Sequence, residues 1–402
     1  MPKNDTPIRT NRFLGLRDAH DKRAIGKDGL SIANNVDITN DLEVERRPGY
    51  VQVTTTPVDA AWGDGTDLIF TSSGSLIRLN LDDTEVTLAS GLTVSSTLAV
   101  GRTGNRLYWS NDYETGVVKG NENRSLGLPV PDKPTVVTIG GAIPACVYAF
   151  ALSFLRSDDQ ESGLSLEALV TTTNRDGFSI SIPASSTDSD VDRVNVYVSA
   201  HDGRQLYLLA TANLGAAAVS FDDSTRRLGT IPAQFKHSGA PSPFQCAAVC
   251  NARLVVGCGE NIYFSYPFAY EVFNLAFGYI PMQSRVEIIV PVEGGTYVGT
   301  GDQVLYMQGD ISDPSDVRSV ANYGVVRGSR AMPLESHEID VEEFSGKGAA
   351  ILTERGYALC LDRGRFSNVT EGEAVFPAAP IVGDGVIRRV NGTVHALSVV
   401  KT

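Results

Sequence analysis

Along most of the chain, apolar and polar residues alternate in short runs that end in Gly, Asn, Ser or Asp. That is the pattern of half-buried strands joined by tight turns. No stretch keeps a helical period beyond about three turns, so long helices are not expected. The clearest unit is LIFTSSGSLIRLN at 68–80, an apolar strand, a Ser-Ser-Gly-Ser turn and a second alternating strand. LAVGRTGNRLYWS (98–110) repeats the layout, and it returns in ARLVVGCGENIYFSYP (252–267), TYVGTGDQVLYMQGD (296–310), AAILTERGYALCLDRG (349–364) and VIRRVNGTVHALSVV (386–400). Asn261-Ile262-Tyr263-Phe264-Ser265 echoes Asn105-Arg106-Leu107-Tyr108-Trp109-Ser110. These six hairpins recur at about 30 to 55 residues from turn to turn, outside one interruption. A hairpin of that size cannot bury its own faces, so repeats at this period are expected to stack as β-propeller blades. The alternative is an unrelated series of antiparallel hairpins in a sandwich.

The interruption covers about 131–231. It opens at the proline-marked junction LPVPDKPTVV (128–137), which stiffens the passage from one unit to the next. It ends near Leu228-Gly229-Thr230-Ile231-Pro232. Between them, VYAFALSFLRSDDQESGLS, FSISIPASS, VDRVNVYVSAHDGRQLYLLATA and VSFDDSTRRLG read as six or seven strands. The absence of a Cys…Trp…Cys pattern excludes an antibody-type domain. The order of features resembles a fibronectin type III-like sandwich: a Pro-rich opening strand, a strand bearing Tyr148 with Asp-Gln-Glu-Ser-Gly at its tip, then Val194-Asn195-Val196-Tyr197-Val198, and a closing Val219-Ser220-Phe221-Asp222-Asp223. The expected fold is all-β: an extended N-terminal arm at 1–56, propeller at 57–130, the inserted fibronectin-like sandwich at 131–231, and propeller again at 232–402.

Composition narrows the function classes. The chain has 402 residues, 42% apolar and 20% charged, enough for more than one packed core. A net charge of −13 argues against a surface that neutralises duplex phosphates. It suits a wall past which DNA slides without sticking. The five cysteines, Cys146, Cys246, Cys250, Cys258 and Cys360, are odd in number and lie in apolar strand-like runs, which reads as reduced and cytoplasmically assembled. The spacing of Cys246, Cys250 and Cys258 fits no zinc knuckle, and no histidine sits at ligand spacing. The first residues lack a secretion-signal pattern, and no apolar run reaches the ~18 residues needed to span a bilayer, so membrane insertion is not expected.

Propellers often host enzymes, but no catalytic motif is legible. There are no Ser-x-Asp-x-Gly-x-Thr-Trp boxes, no HExxH, no G-x-S-x-G, no P-loop and no dinucleotide fingerprint. Asp158, Asp159, Glu161 and Asp222-Asp223 read as solvated turn residues. No catalytic, cofactor-binding or metal-binding residue is predicted, and no cofactor.

The stretch from Asn11 to Tyr50 is too poor in apolar residues to form a core, so it is expected to run as an arm, with a short hairpin from Asp37 to Glu45 turning at Asn40-Asp41. NNVDITNDLEVERRPGY (34–50), after Leu14-Gly15-Leu16, resembles the opening of tail proteins of double-stranded DNA bacteriophages. Those proteins carry Asn-Val-x-x-(S/T)-x-x-Gly-x-(L/V)-x-x-Arg-x-Gly before a propeller. Asn35, Val36, Thr39, Val44, Arg47, Gly49 and Tyr50 match, while Asp41 or Leu42 stands at the turn glycine. NRLYWSND (105–112) and NIYFSYPFAYEVFN (261–274) are similar to strands of the same proteins.

The resemblance implies a tail hub or nozzle, a tail tubular protein forming a ring, commonly of six, around the DNA channel. Its implied partners are copies of itself, the portal and adaptor, other tail proteins, and DNA that passes without specific binding. Its implied place is the virion tail, assembled in the bacterial cytoplasm. A distal-tail baseplate or receptor-binding protein is the other reading. Candidate inter-subunit contacts are Asn35, Val36, Arg46, Arg47, Tyr50, Tyr266, Phe268 and Tyr270, since Arg and aromatic residues anchor interfaces. Arg46 and Arg47 have a local alternative in Glu43 and Glu45, and the aromatic residues have one in the blade core.

Overall fold

The computed structural model describes residues 15–16, 29–30, 36–38, 43–47, 49, 51–201, 203–222, 228–229, 233, 238–339, 346–371, 380–390 and 393–401. Within them the regular elements are β-strands, apart from single 3-10 turns at Ser336–Glu338 and Asp362–Gly364. No helix among the described residues is long and apolar enough to cross a membrane.

Two short pairings come first. β1 (Gly15–Leu16) runs parallel to β2 (Gly29–Leu30), and β3 (Val36–Ile38) forms an antiparallel hairpin with β4 (Val44–Arg46). Sheet 1 is the meander β5 (Ala60–Gly63), β6 (Leu68–Ser72), β7 (Ser75–Leu79) and β8 (Glu85–Ser90). Sheet 2 repeats it with β9 (Ala99–Thr103), β10 (Arg106–Ser110), β11 (Thr115–Lys119) and β12 (Glu122–Ser125).

A different unit follows. β13 (Val136–Ile143), β14 (Val147–Arg156), β15 (Ala168–Thr171), β16 (Asp176–Ser181), β17 (Val191–Ser199), β18 (Leu206–Asn213) and β19 (Ala218–Phe221) form two sheets, ordered β13-β16-β19 and β15-β14-β17-β18. Phe178, Ile180 and Phe221 from one sheet meet Tyr148, Phe150, Val194 and Val196 from the other in a shared core, so the unit is a two-layer sandwich.

The meanders then resume. Sheet 3 has β20 (Ser238–Gly239), β21 (Cys246–Cys250), β22 (Arg253–Cys258), β23 (Asn261–Tyr266), β24 (Ala269–Asn274) and β25 (Tyr279–Pro281). Sheet 4 has β26 (Val286–Val292), β27 (Gly295–Thr300), β28 (Val304–Asp310) and β29 (Asp313–Ala321). Sheet 5 has β30 (Met332–Leu334), β31 (Gly348–Thr353), β32 (Gly356–Cys360) and β33 (Phe366–Asn368), and β34 (Val382–Val390) with β35 (Thr393–Lys401) make a final hairpin, sheet 6.

These sheets pack in cyclic order, which gives the body a propeller-like build. β8 touches β12, β9 lies against β21, β21 against β26, β26 against β31, and β30 and β31 against β34. The ring returns to its start through Arg330, whose Nε donates to Asp384 of β34 at 2.6 Å and whose Nη2 donates to the Ala61 carbonyl of β5.

Strand alternation explains the stacking, because successive side chains point to opposite faces. On β10, Leu107 and Trp109 face sheet 1 beside Ile69 and Leu76, while Tyr108 faces sheet 3 beside Leu254 and Phe273. On β22, Leu254 and Val256 face sheet 2, and Val255 faces sheet 4 beside Ile289 and Val298. Tyr297 and Tyr306 of sheet 4 pack with Ile351 and Cys360 of sheet 5, and Met332 and Leu361 reach Ile387 and Val394 of sheet 6. Close approach needs Gly116: a Cβ there would meet Trp109 Nε1 at 2.5 Å.

Candidate assembly surfaces

The residues expected at subunit contacts are dispersed in the structure. Asn35 and Tyr50 lie outside the described residues. Val36 and Arg46 face each other across the β3–β4 hairpin. Arg47 donates through Nε to Asp37 at 2.8 Å, and Arg388 of β34 donates to the same carboxylate at 2.8 Å, tying the hairpin to sheet 6. Burial alone would raise the Asp37 carboxyl, but the two arginines outweigh it and hold it below its ordinary value.

The three aromatic residues of sheet 3 separate. Tyr270 turns inward, its ring 6.3 Å from that of Tyr108 in the core between sheets 2 and 3. Tyr266 is half-buried, and its hydroxyl accepts from Asn274 Nδ2 at 3.5 Å. Phe268 points to solvent, 77% exposed, on the turn between β23 and β24. Its φ is +60°, a left-handed conformation that costs a non-glycine residue about 1–2 kcal/mol. Its backbone N–H donates to the Ala252 carbonyl at 2.7 Å, and Asn251 and Ala252 are themselves left-handed, with φ of +49° and +56°. Two tight turns are thus fastened together at one corner of the ring.

Three neighbours went unrecognised in the sequence. Phe277 is 76% exposed, and Leu275 and Tyr279 are also exposed. Asn274 Oδ1 accepts from the N–H groups of Ala276 and Phe277, both at 3.1 Å, a side-chain turn that lifts Phe277 outward. The signal available in the sequence was an Asn followed three residues later by Phe-Gly. Arg253 flanks the patch, its guanidinium 5.8 Å from the Phe264 ring centre.

On the far side of the ring, sheets 6 and 1 enclose an apolar groove of about 860 Å³. Trp62, Leu68, Leu79, Leu81, Val386 and Val399 line it, with Leu81 94% and Val399 82% exposed. Phe70, Ile77 and Leu79 back it as a small core belonging to sheet 1.

A third feature is polar. Glu271 of β24 is fully buried, and Arg124 of β12 grips both of its oxygens at 2.5 Å. Arg156, at the end of sandwich strand β14, donates to Glu271 at 3.2 Å and forks onto Asp158 at 3.0 and 2.6 Å. Arg106 of β10 reaches both Glu271, at 3.3 Å, and Asp158, at 2.9 Å. Burial would raise the Asp158 carboxyl, yet Arg156 and Arg106 hold it well below the carboxylate range. Asp158 thus joins a network that fixes the sandwich to sheets 2 and 3.

A second charged cluster ties neighbouring sheets together. Asp112, after β10, accepts from Arg285 at 3.3 Å, Arg327 at 2.9 Å and Thr97 at 2.6 Å, linking sheets 2, 4 and 5. Nearby Glu287 is buried, which pushes its carboxyl up against the opposing pull of Arg285 and Arg327. A cavity of about 260 Å³ remains among the inner strands, too small for a nucleic-acid duplex.

The chemistry of these features is packing and charge pairing. Among the described residues, no group of three or more His, Cys, Asp or Glu is placed to hold a metal ion. None of the five cysteines forms a disulfide, and burial pushes the thiols of Cys246, Cys250, Cys258 and Cys360 up, Cys258 to about 12 and Cys250 to about 11.

No family model matches the chain, and no curated protein sequence does. Among solved structures, BBS1N in complex with ARL6DN is similar at 10% identity and a TM-score of 0.34, over 87% of this chain and 92% of that one. The WD40 β-propeller domain of Doa1 is similar at 8% identity and a TM-score of 0.30, over 84% and 88%. Apo AztD from Citrobacter koseri is similar at 12% identity and a TM-score of 0.31, over 81% and 71%.

Proposed function

We propose that this chain is a structural subunit that assembles with copies of itself, and that the assembly is a bacteriophage tail hub or nozzle ring around the DNA channel. One observation carries the assembly: Phe268 is held 77% exposed in a left-handed backbone conformation on the turn between β23 and β24. An exposed aromatic side chain of this kind is what interfaces bury.

The tail assignment draws support from the pattern matched by Val36, Val44, Arg47 and Gly49, and from a sandwich inserted between two propeller parts. In this reading residues 1–56 are the arm that clasps the body or a neighbour, and the insert is fibronectin-like. The likeness is one of architecture, since β19 pairs on β16 at the close of the unit. DNA then passes between subunits, because the cavity of about 260 Å³ among the inner strands is too small for a duplex.

Sedimentation of the purified chain, together with probing of purified virions, tests the proposal. Ring-sized particles and presence in virions are the expected outcome. A strict monomer at every concentration, absent from virions, ends it. Saturable adsorption of the purified chain to host cells would move the assignment to a receptor-binding protein.

A further inference from the structure

We infer that the polar cluster around Glu271 is a latch, and that the sandwich separates from the propeller body as a folded unit when the latch opens. Such motion takes place within one chain, whether or not chains assemble. Among the described residues the two units share no apolar core. The sandwich closes around Phe150, Phe178 and Val196, while Leu126, Phe244, Leu254 and Phe273 belong to the core between sheets 2 and 3. A joint without a shared core depends on the polar contacts that cross it.

Both units contribute both signs of charge. Arg156 of the sandwich meets Glu271 of sheet 3 at 3.2 Å, Arg106 of sheet 2 meets Asp158 of the sandwich at 2.9 Å, and Arg124 and Asp190 stand 4.0 Å apart. Each fully buried member also holds a partner in its own unit. Glu271 has both oxygens on Arg124 at 2.5 Å, and Arg156 forks onto Asp158 at 3.0 and 2.6 Å, with Asp188 at 3.9 Å. Breaking a buried ion pair is costly when it leaves one charge without a partner. Separation here leaves Glu271 on Arg124 and Arg156 on Asp158, so neither is orphaned. That distinguishes a latch from a permanent brace.

The connections permit a swing. Leu126 and Leu128 are buried just after sheet 2, and the sandwich begins where the Thr135 carbonyl accepts from the Ser181 N–H at 3.0 Å. Between them Pro129, Pro131 and Pro134 make a short semi-rigid strap. On the return side Ser238–Gly239 pairs with β24, and the Phe244 N–H donates to Ser110 Oγ at 3.0 Å. Exit and return lie side by side, since a Cβ on Gly127 would come 2.6 Å from the Ala240 Cβ. Two connections that meet at one place form a hinge, because a few residues there absorb the whole rotation.

The test breaks the two close crossing pairs from either side, in the full chain. Arg106→Met with Glu271→Gln changes the propeller alone, and Arg156→Met with Asp158→Asn changes the sandwich alone. Dyes on Leu81→Cys, in the β7–β8 turn, and Leu169→Cys, in the sandwich, read the separation of the units by single-molecule energy transfer, both positions being exposed. Wild type is expected to show one dominant transfer efficiency. Each variant is expected to populate a second efficiency, with the docked-to-open ratio lowered about ten-fold or more, the size of one lost charge-assisted hydrogen bond. Protease should cut faster within 129–134, and thermal melts should keep the transitions of both units.

Variants that keep the wild-type transfer efficiency and digestion pattern overturn the inference, since the units then stay docked without the crossing pairs. Opening in one variant and not in the other overturns it as well, because both break the same two pairs. Loss of a unit's melting transition in the variant that leaves that unit's sequence untouched also overturns it, because the joint would then belong to that unit's folding. Where a variant loses the transition of the unit it changes, the other variant decides.

Discussion

Two joints in this molecule are built from opposite materials. Where the sandwich meets sheets 2 and 3, three arginines surround a fully buried glutamate, and the contact is closed within one chain. Where sheet 6 meets sheet 1, one arginine, Arg330, bridges Asp384 and the Ala61 carbonyl beside an open apolar groove. Buried ion pairs add little net stability over apolar packing, but they demand one geometry, because a misplaced charge is left unpaired. The first joint therefore fixes the direction in which the sandwich points. The second leaves apolar surface unspent, which suits a contact made after folding.

The largest expected effect breaks the first joint. Glu271→Ala leaves Arg156, 1% exposed, without one of its carboxylates, and is expected to cost about 3–5 kcal/mol in denaturant unfolding. Replacing Glu271 and Arg156 together with Leu and Met should cost less than the sum of the two single changes, because no orphan charge remains. Equal costs for the double change and that sum would show that the pair does not act as a unit.

The filled interfaces and the open seam should then separate cleanly. Leu254→Ala, in the core between sheets 2 and 3, is expected to cost about 2–5 kcal/mol. Leu81→Ala at the groove should stay within about 0.5 kcal/mol in the monomer. Comparable losses at both positions would mean that the seam is as well packed as its neighbours.

Acid should act through the same arginine clusters. The folded-state carboxyls of Asp158 and Glu338 lie below their ordinary values, Glu338 at about 2 through its bonds from Arg389. A depressed carboxyl stabilises the fold above its unfolded value and loses that contribution as pH falls through the folded one. The contribution of these two carboxyls should therefore be level above about pH 5 and decline from about pH 4 toward pH 2. With Asp158→Asn, a smaller part of that decline should remain in pH-dependent melting curves.

What the sequence disclosed was local. The hairpins read at 68–80 and 349–364 are β6–β7 and β31–β32, because alternation and a turn are enough to specify them. Position within a sheet was not legible. The echo between Asn105–Ser110 and Asn261–Ser265 pairs β10, the second strand of its meander, with β23, the third of its own. Turn chemistry is the same at either place. The aromatic run 263–273 misled for a related reason: the register shifts between Ser265 and Tyr266, so parity does not tell Phe268 from the buried Phe273. Asp158 read as a solvated turn residue because one partner, Arg106, is 52 residues away and the other, Arg156, is itself held by Glu271, 115 residues off.

The smallest effect bears most directly on the contrast between closed and open joints. Phe268 pays in backbone strain for its exposure, so a residue that accepts the left-handed region should relieve the monomer. Phe268→Asn is expected to raise monomer stability by up to about 1 kcal/mol, since no buried contact is lost and Asn tolerates positive φ. The same change should weaken self-association, read by sedimentation at matched concentrations. A gain in folding coupled to a loss in assembly is the mark of strain retained for a contact outside the chain. A loss in both would instead place the Phe268 ring in the fold itself, and the aromatic patch would then be part of a closed joint like that around Glu271.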